Sequence, residues 1–367
     1  MCLTFQVRIS SLSWSCTGGV VALGISHTEH ENWCDHSASV YMFNINRQDL
    51  SSALTPNKTL ETSSCVVSLS SHPFEPSILA AGTYREVLVW NLQRDDDCLI
   101  CTSSNLPGSH REAISQVSWI RNPDSTQQQP LLVSAGRDGR ILVWKVGTHS
   151  GNLQLNEGFI LTLERLKYLS PEMHVPSPVG GAALGLELGV SCFTFSPLDF
   201  SSFVVGVDGG VILSCSTIAA RPAPVDADIP LKDPVLQAFE KHQGAAAPLQ
   251  MIHIEKGVLG VEWCIARANL CAAWGNSSHT VLFYNMQSGE VVPSLQLSVS
   301  EKPALITVLR KGTLKYLPYY HYTSDAACDS IQVKWLTVTA NCEAEHKCYL
   351  TLPLGKLYTS FSIIGLK

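Results

Sequence analysis

Charge is scarce in this sequence. Asp, Glu, Lys and Arg make up 15% of its 367 residues, and 25 basic against 31 acidic side chains leave a net charge of −6. No basic block stands out, which argues against the phosphate-neutralising footprint of a nucleic-acid binder, so no nucleic-acid partner is expected. A hydrophobic share of 45% beside so little charge argues against a disordered chain and leaves ample material for a large core. Long apolar runs are missing too. The N-terminus, MCLTFQVRISSLSW, lacks the apolar centre of a signal peptide. The most apolar stretch, residues 179–197, contains Glu187 and is broken by glycines, so no membrane insertion is expected. There is no phosphate loop ending in Gly-Lys-Ser or Gly-Lys-Thr, and ATP hydrolysis is not expected.

Cysteine, by contrast, is plentiful. Thirteen are scattered from Cys2 to Cys348, an odd number with no export signal before them. Free thiols in a reducing cytosol fit that usage, and the glycosylation sequons at Asn57 and Asn276 are then incidental.

One pattern recurs along the chain: a short alternating strand, a polar turn, a small-residue strand ending near Gly, a tight turn, and an apolar strand ending in an aromatic. The clearest copy joins Ile114 to Trp119, Leu131 to Gly136, the turn Arg137-Asp138-Gly139, and Arg140 to Trp144. Asp-Gly between two apolar runs is a strong hairpin signal because both residues tolerate positive φ. Four weaker copies close at Phe43, Trp90, Cys215 and Tyr284, so the five closing positions lie 47, 54, 71 and 69 residues apart. A four-stranded propeller blade takes about 40–45 residues. The two long intervals therefore imply insertions, assigned to residues 147–189 and 216–257. The 83 residues after Tyr284 leave room for about two more blades. The expected fold is an all-β propeller of seven blades, five of them recognisable. Residues 1–300 hold the blades and 301–367 hold divergent C-terminal strands, either closing blades or an aberrant end of the gene product. Strands are expected there at Ile331 to Val338, Cys348 to Leu352 and Leu357 to Ile364.

His110, Ser134, Asp138 and Trp144 contain the ingredients of a hydrolase, but their spacing is that of a structural tetrad in a WD-type blade. There the His before the first strand meets the Asp of the tight turn, and Ser and Trp extend the hydrogen-bonded chain. No G-x-S-x-G surrounds Ser134, so no catalytic residue is assigned and the protein is not expected to be an enzyme. The segment from His27 to His36 holds His and Cys at short spacing. Structural zinc sites usually come as two half-sites on separate turns, whereas these residues share one loop between Gly24 and Ser39. A solvated loop is expected, with no metal and no cofactor. Cys98 and Cys101 form a lone C-x-x-C, read as a strand edge or linker. Asp95-Asp96-Asp97 lacks the Gly and distal Glu of a calcium loop.

Several whole segments resemble the WD-repeat intermediate chains of dynein, most of all an intermediate chain of the ciliary cytoplasmic dynein. They are Ser11 to Gly18, Phe43 to Leu50, Glu86 to Leu92, Ile114 to Trp119, and Leu153 to Phe159, the last lying outside the repeat pattern. The likeness is good over residues 9–216, patchy over 217–298, and lost after about residue 300. It implies a non-catalytic scaffold subunit whose propeller binds the dynein heavy-chain tail, beside a second intermediate chain, for retrograde intraflagellar transport. It also implies a place in the cytoplasm, the cytoskeleton and the cilium, at the axoneme and the ciliary base. Family members bind dynein light chains through a long N-terminal region. This chain starts almost at the first blade strand, so light chains are not expected as its partners. The other reading is a generic WD-repeat adaptor, such as a ubiquitin-ligase substrate receptor or a trafficking scaffold. For a partner surface the candidates are Arg85, Arg137 and Asp208 in tight turns, and His110 and Arg111 in the loop leading into a first strand. Partner contacts on propellers are often built from these loops.

Overall fold

Small and β-branched residues dominate the middle strands of the repeats, and these strands are buried on both faces, as β6 (Ile78–Thr83) and β10 (Leu131–Gly136) show along their whole length. A sheet covered on both faces buries a strand that way, and here the cover on each side is a neighbouring sheet. The computed structural model describes residues 7–27, 34–44, 55–95, 97–122, 129–148, 150–169, 187–208, 210–223, 228–239, 258–263, 269–275, 280–291 and 297–298, with five short strands between 316 and 364.

Blade one is the antiparallel sheet β1 (Val7–Trp14), β2 (Val20–His27), β3 (Ala38–Asn44) and β4 (Lys58–Thr62). Blade two is β5 (Val66–Ser71), β6, β7 (Val87–Asn91) and β8 (Leu99–Thr102). Blade three is β9 (Ile114–Ile120), β10, β11 (Arg140–Gly147) and β12 (Asn152–Ile160), followed by the short helix α1 (Leu163–Leu169). Blade four is β13 (Val190–Phe195), β14 (Ser202–Val207), β15 (Ile212–Ser216) and β18 (Val235–Phe239). Between β15 and β18 the chain returns to the outer edge of blade three, adding β16 (Arg221–Pro222) and β17 (Lys232–Asp233) beside β12. Blade five is β19 (Val258–Trp263), β20 (Leu270–Gly275), β21 (Thr280–Asn285) and β22 (Glu290–Val291), with β23 (Leu297–Ser298) also on β21.

Where the sequence arithmetic leaves room for two more blades, β24 (Tyr316–Tyr319) pairs with β25 (Lys334–Thr337). A three-stranded sheet follows, of β26 (Thr339–Cys342), β27 (Lys347–Thr351) and β28 (Ser360–Ile364). Among the described residues no helix is long and apolar enough to cross a membrane.

The core lies between blades rather than inside one. In β10, Leu132 faces blade two and packs with Ile78, Ala80, Val87 and Val89, while its neighbours Val133 and Ala135 face Phe193, Phe203 and Val205 of blade four. Period-two alternation thus feeds two separate cores from one strand. Trp144 is fully buried in the layer between blades two and three, and Trp90 in the layer between blades one and two. The layer between blades four and five is built from Cys192, Val204, Ile212, Val258, Val261 and Trp263.

First strands have one edge without a ladder partner, and successive first strands pack side by side. Side chains of the preceding blade serve those edges. Ser11 Oγ accepts the Leu69 N–H and Ser13 Oγ the Ser71 N–H, both at 2.8 Å. Ser68 and Ser70 receive the N–H groups of Val117 and Trp119 at 3.1 and 3.3 Å. Gln116 grips Phe193 by both main-chain groups, at 2.7 and 3.1 Å. Edge groups that would otherwise invite another strand are thereby occupied.

The insertion boundaries need correction. Residues 147–189 contain the outer strand β12 and the helix, and 216–257 contain the outer strand of blade four. Leu153 to Phe159, set outside the repeat, is part of β12. An outer strand such as β12 alternates exposed and buried positions, so it carries no continuous apolar run, and the repeat template passes over it.

Candidate functional site

The hairpin turn Arg137-Asp138-Gly139 puts Gly139 at φ +72°, and the loop leading into β9 brings His110 over it. His110 Nδ1 lies 3.0 Å from Asp138 Oδ1, and Nε2 lies 2.8 Å from Ser134 Oγ. Trp144 Nε1 lies 2.8 Å from the same hydroxyl. The directions follow from the end that has no choice. An indole can only donate and a carboxylate can only accept, so Ser134 Oγ accepts from Trp144, and a neutral His110 that donates to Asp138 takes the Ser134 proton on Nε2. His110 then carries its proton on Nδ1 and donates to Asp138. Gly136 leaves the space for this: a Cβ there would sit 2.6 Å from His110 Nδ1 and 2.7 Å from Asp138 Oδ1.

Asp138 also accepts the N–H groups of Arg111 at 2.8 Å and Arg140 at 3.2 Å. Burial opposes its charge, but the His110 contact and the two amides outweigh that and hold the carboxyl below its ordinary value. Arg140 escaped the sequence reading. Its side chain is 1% exposed, faces Asp138 Oδ2 at 3.9 Å, and donates to the carbonyls of Gly108 and Ser109 at 3.3 Å. Position 140 starts an apolar strand, and only the neighbouring Asp-Gly turn hints that a cation could be buried there. Ser134 is fully buried, and with Trp144 donating to it and His110 accepting from it, its hydroxyl is held inside a closed chain of hydrogen bonds.

The candidate partner-binding residues share the same end of the strands but differ in availability. His110 is corrected as a surface group: its side chain is 1% exposed, because the ring bridges Asp138 and Ser134. Arg111 is exposed and 3.4 Å from Asp228. Arg85 is exposed and ion-paired with Asp35. Arg137 is exposed and makes no ion pair among the described residues. Its charge acts on Tyr84 of blade two and on Asp208 of blade four, which places it between the two tight turns. Asp208 is exposed overall, yet its carboxyl end packs over Gly189, where a Cβ would lie 2.3 Å from Oδ2. Burial pushes that carboxyl above its ordinary value, against the pull of Arg137. At the opposite ends of the strands stand the exposed Phe74, Leu198 and Ile218, the last beside a cleft of about 300 Å³ between blades three and four.

The loop expected to be solvated is partly so. Residues 28–33 lie outside the described residues, but Cys34 is 2% exposed, packed against Cys65 and Tyr84. Cys98 to Cys101 runs into the outer strand of blade two. Cys16, Cys34, Cys65, Cys98, Cys101, Cys192, Cys215 and Cys271 are free.

No family model matches the chain. Cytoplasmic dynein 2 intermediate chain 2 of Homo sapiens is 32% identical over 297 residues, covering 80% of this chain and 51% of that one. Its Mus musculus counterpart is 32% identical over 295 residues with the same coverage. Dynein axonemal intermediate chain 4 of Rattus norvegicus is 24% identical over 220 residues, 58% of this chain and 26% of that one. These alignments bear out the family resemblance read from the sequence. The chain spans about half the length of the first two curated relatives. Among solved structures, a chain of the crystal structure of the mitotic checkpoint complex aligns over 98% of this chain and 84% of its own, with a TM-score of 0.49 and 14% identity.

Proposed function

We propose that this chain, a relative of the dynein intermediate chains, is a non-catalytic scaffold subunit of a ciliary dynein, holding the heavy-chain tail by its propeller for retrograde intraflagellar transport. The observation that carries the reading is the 32% identity to cytoplasmic dynein 2 intermediate chain 2 across 80% of the chain. The blade chemistry agrees with it. Ser, His and Asp, which could otherwise suggest hydrolysis, are locked into one buried network, and strands consumed by packing leave the loops for binding. Its setting is the cytoskeleton and the cilium, and its expected partners are a heavy chain and a second intermediate chain.

The docking face is proposed to be the one carrying Arg85, Arg111, Arg137 and Asp208, with Arg137 as its centre. An Arg with no ion pair among the described residues can give its planar fork to an acidic or amphipathic helix. The experiment is affinity purification of the tagged chain from ciliated cells, with mass spectrometry of what it retains. Dynein heavy chain is expected; a ligase adaptor or a coat in its place would overturn the reading. Within a confirmed complex, changing Arg85 and Arg137 together to Glu should weaken heavy-chain association by about 1–4 kcal/mol. An unchanged pull-down by the folded double variant would move the contact to the opposite, apolar face.

A further inference from the structure

Loops on the same face bring together three metal-ligating atoms from two blades. Cys34 and His36 lie in the loop between β2 and β3 of blade one, and Cys65 immediately precedes β5 of blade two. Cys34 Sγ, a ring nitrogen of His36 and Cys65 Sγ all lie within 4.8 Å of one another. Cys34 Sγ is 3.6 Å from His36 Nδ1. A tetrahedral zinc ion with ordinary Zn–S and Zn–N bonds holds its ligand atoms about 3.5–3.8 Å apart, so this pair already has the spacing and the third atom needs only a small shift. Both sulfurs are buried and both cysteines are free.

We infer that Cys34, His36 and Cys65 form a zinc site that clamps blade one to blade two, with His27 beside them to supply the fourth ligand. Two further observations point to a cation. Each sulfur accepts a main-chain N–H, Cys65 Sγ from His27 at 3.3 Å and Cys34 Sγ from Cys65 at 3.4 Å. Amides aimed at sulfur are the usual outer shell of such sites. The His27 ring stacks on that of His36 with centroids 4.4 Å apart, near enough to bring a nitrogen to the three ligand atoms if the ring turns. Binding releases the two thiol protons to solvent, and nothing is oxidised or reduced. Thiolate and imidazole ligands in tetrahedral array favour zinc over magnesium or calcium. The clamp sits next to the Arg85–Asp35 ion pair and steadies one corner of the loop face.

The test is metal analysis of the full chain purified under reducing conditions, followed by exchange with Co²⁺. About one zinc per chain is expected, and cobalt should show thiolate-to-metal charge transfer with the intense visible bands of a tetrahedral centre. Cys34→Ser and Cys65→Ser should each weaken zinc binding beyond the roughly 10–100-fold that outer-shell changes cost. Full zinc retention by the folded serine variants would overturn the proposal, because another set of cysteines would then hold the metal. So would a Cys34–Cys65 disulfide in the zinc-free protein that persists under reducing purification. Should the serine variants not fold, the unaltered chain and His36→Asn decide. A cobalt spectrum without thiolate absorption, or one that His36→Asn leaves unchanged in position and affinity, would overturn it as well.

Discussion

Blade three and the junction of blades one and two each gather polar side chains at the same end of their strands, but the two groups are balanced differently. In the tetrad every donor meets an acceptor: indole to hydroxyl, hydroxyl to imidazole, imidazole to carboxylate, with two main-chain amides completing Asp138. The network is closed and has no position for a ligand. Around Cys34 and Cys65 the groups that converge are two sulfurs and a ring nitrogen, with amides donating inward. As thiols the two cysteines keep protons of their own, and as thiolates they would leave the place for the cation proposed above. Polar residues on one face can therefore close on themselves or create a site, and the donor–acceptor count distinguishes the two. Blade two offers a third solution: Thr83 Oγ1 bonds the main chain of Arg85 and Glu86 at 3.0–3.1 Å, a turn satisfied within four residues.

The largest effect separating the two clusters is expected from Trp144→Ala. It opens a cavity between blades two and three and leaves Ser134 without its donor, costing about 3–5 kcal/mol in chemical denaturation. A loss below about 1 kcal/mol would contradict the interblade burial that defines the blade. Next comes the metal. Adding zinc at about 100 times its dissociation constant should stabilise the metal-free chain by about 2.7 kcal/mol, read as a rise in melting temperature. The rise should vanish in Cys65→Ser and persist in Ser134→Ala, since the tetrad binds no ion.

Asp138→Asn should cost about 1–3 kcal/mol through a weakened buried partner for His110. Its carboxyl is depressed in the folded state, so its stabilisation is complete above the unfolded carboxylate pKa and is lost as pH falls through the lower folded value. The acid limb of the stability–pH curve should therefore be flatter in Asp138→Asn than in the unaltered chain, and identical limbs would remove Asp138 as its cause. The smallest effect belongs to the exposed Arg85–Asp35 pair, where Arg85→Ala should change folding stability by about 0–1 kcal/mol. That leaves any loss of heavy-chain association in Arg85 variants attributable to the binding face.

Much of the blade architecture was legible along the chain. The closing residues Phe43, Trp90, Trp144, Cys215 and Tyr284 all lie in third strands and all are buried. They stand out because a strand covered on both faces must be apolar throughout, and the Asp138-Gly139 turn next to one of them announces the hairpin. Outer strands were less visible. β12 mixes exposed and buried positions and was absorbed into an insertion. The Ser and Gln side chains that tie first strands together also passed unread, because a serine in a strand looks the same whether it faces water or a neighbour's edge.

Order along the chain, then, was enough to set the repeat, its three inner strands and the spacing of His110, Ser134, Asp138 and Trp144, since these depend on residues a few positions to a few tens of positions apart in one folding unit. Which residues of neighbouring blades meet is a different matter. Arg140 is buried because the chain before β9 folds over it, and His110 is withdrawn from the surface for the same reason. Cys34 and His36 read alone as a polar loop. Cys65, 31 residues after Cys34 and on the next blade, turns them into a cluster. Local spacing could not reveal this, because the contact depends on how one sheet stacks on the next, and that stacking is fixed by the hydrophobic layer between blades rather than by the loops it brings together.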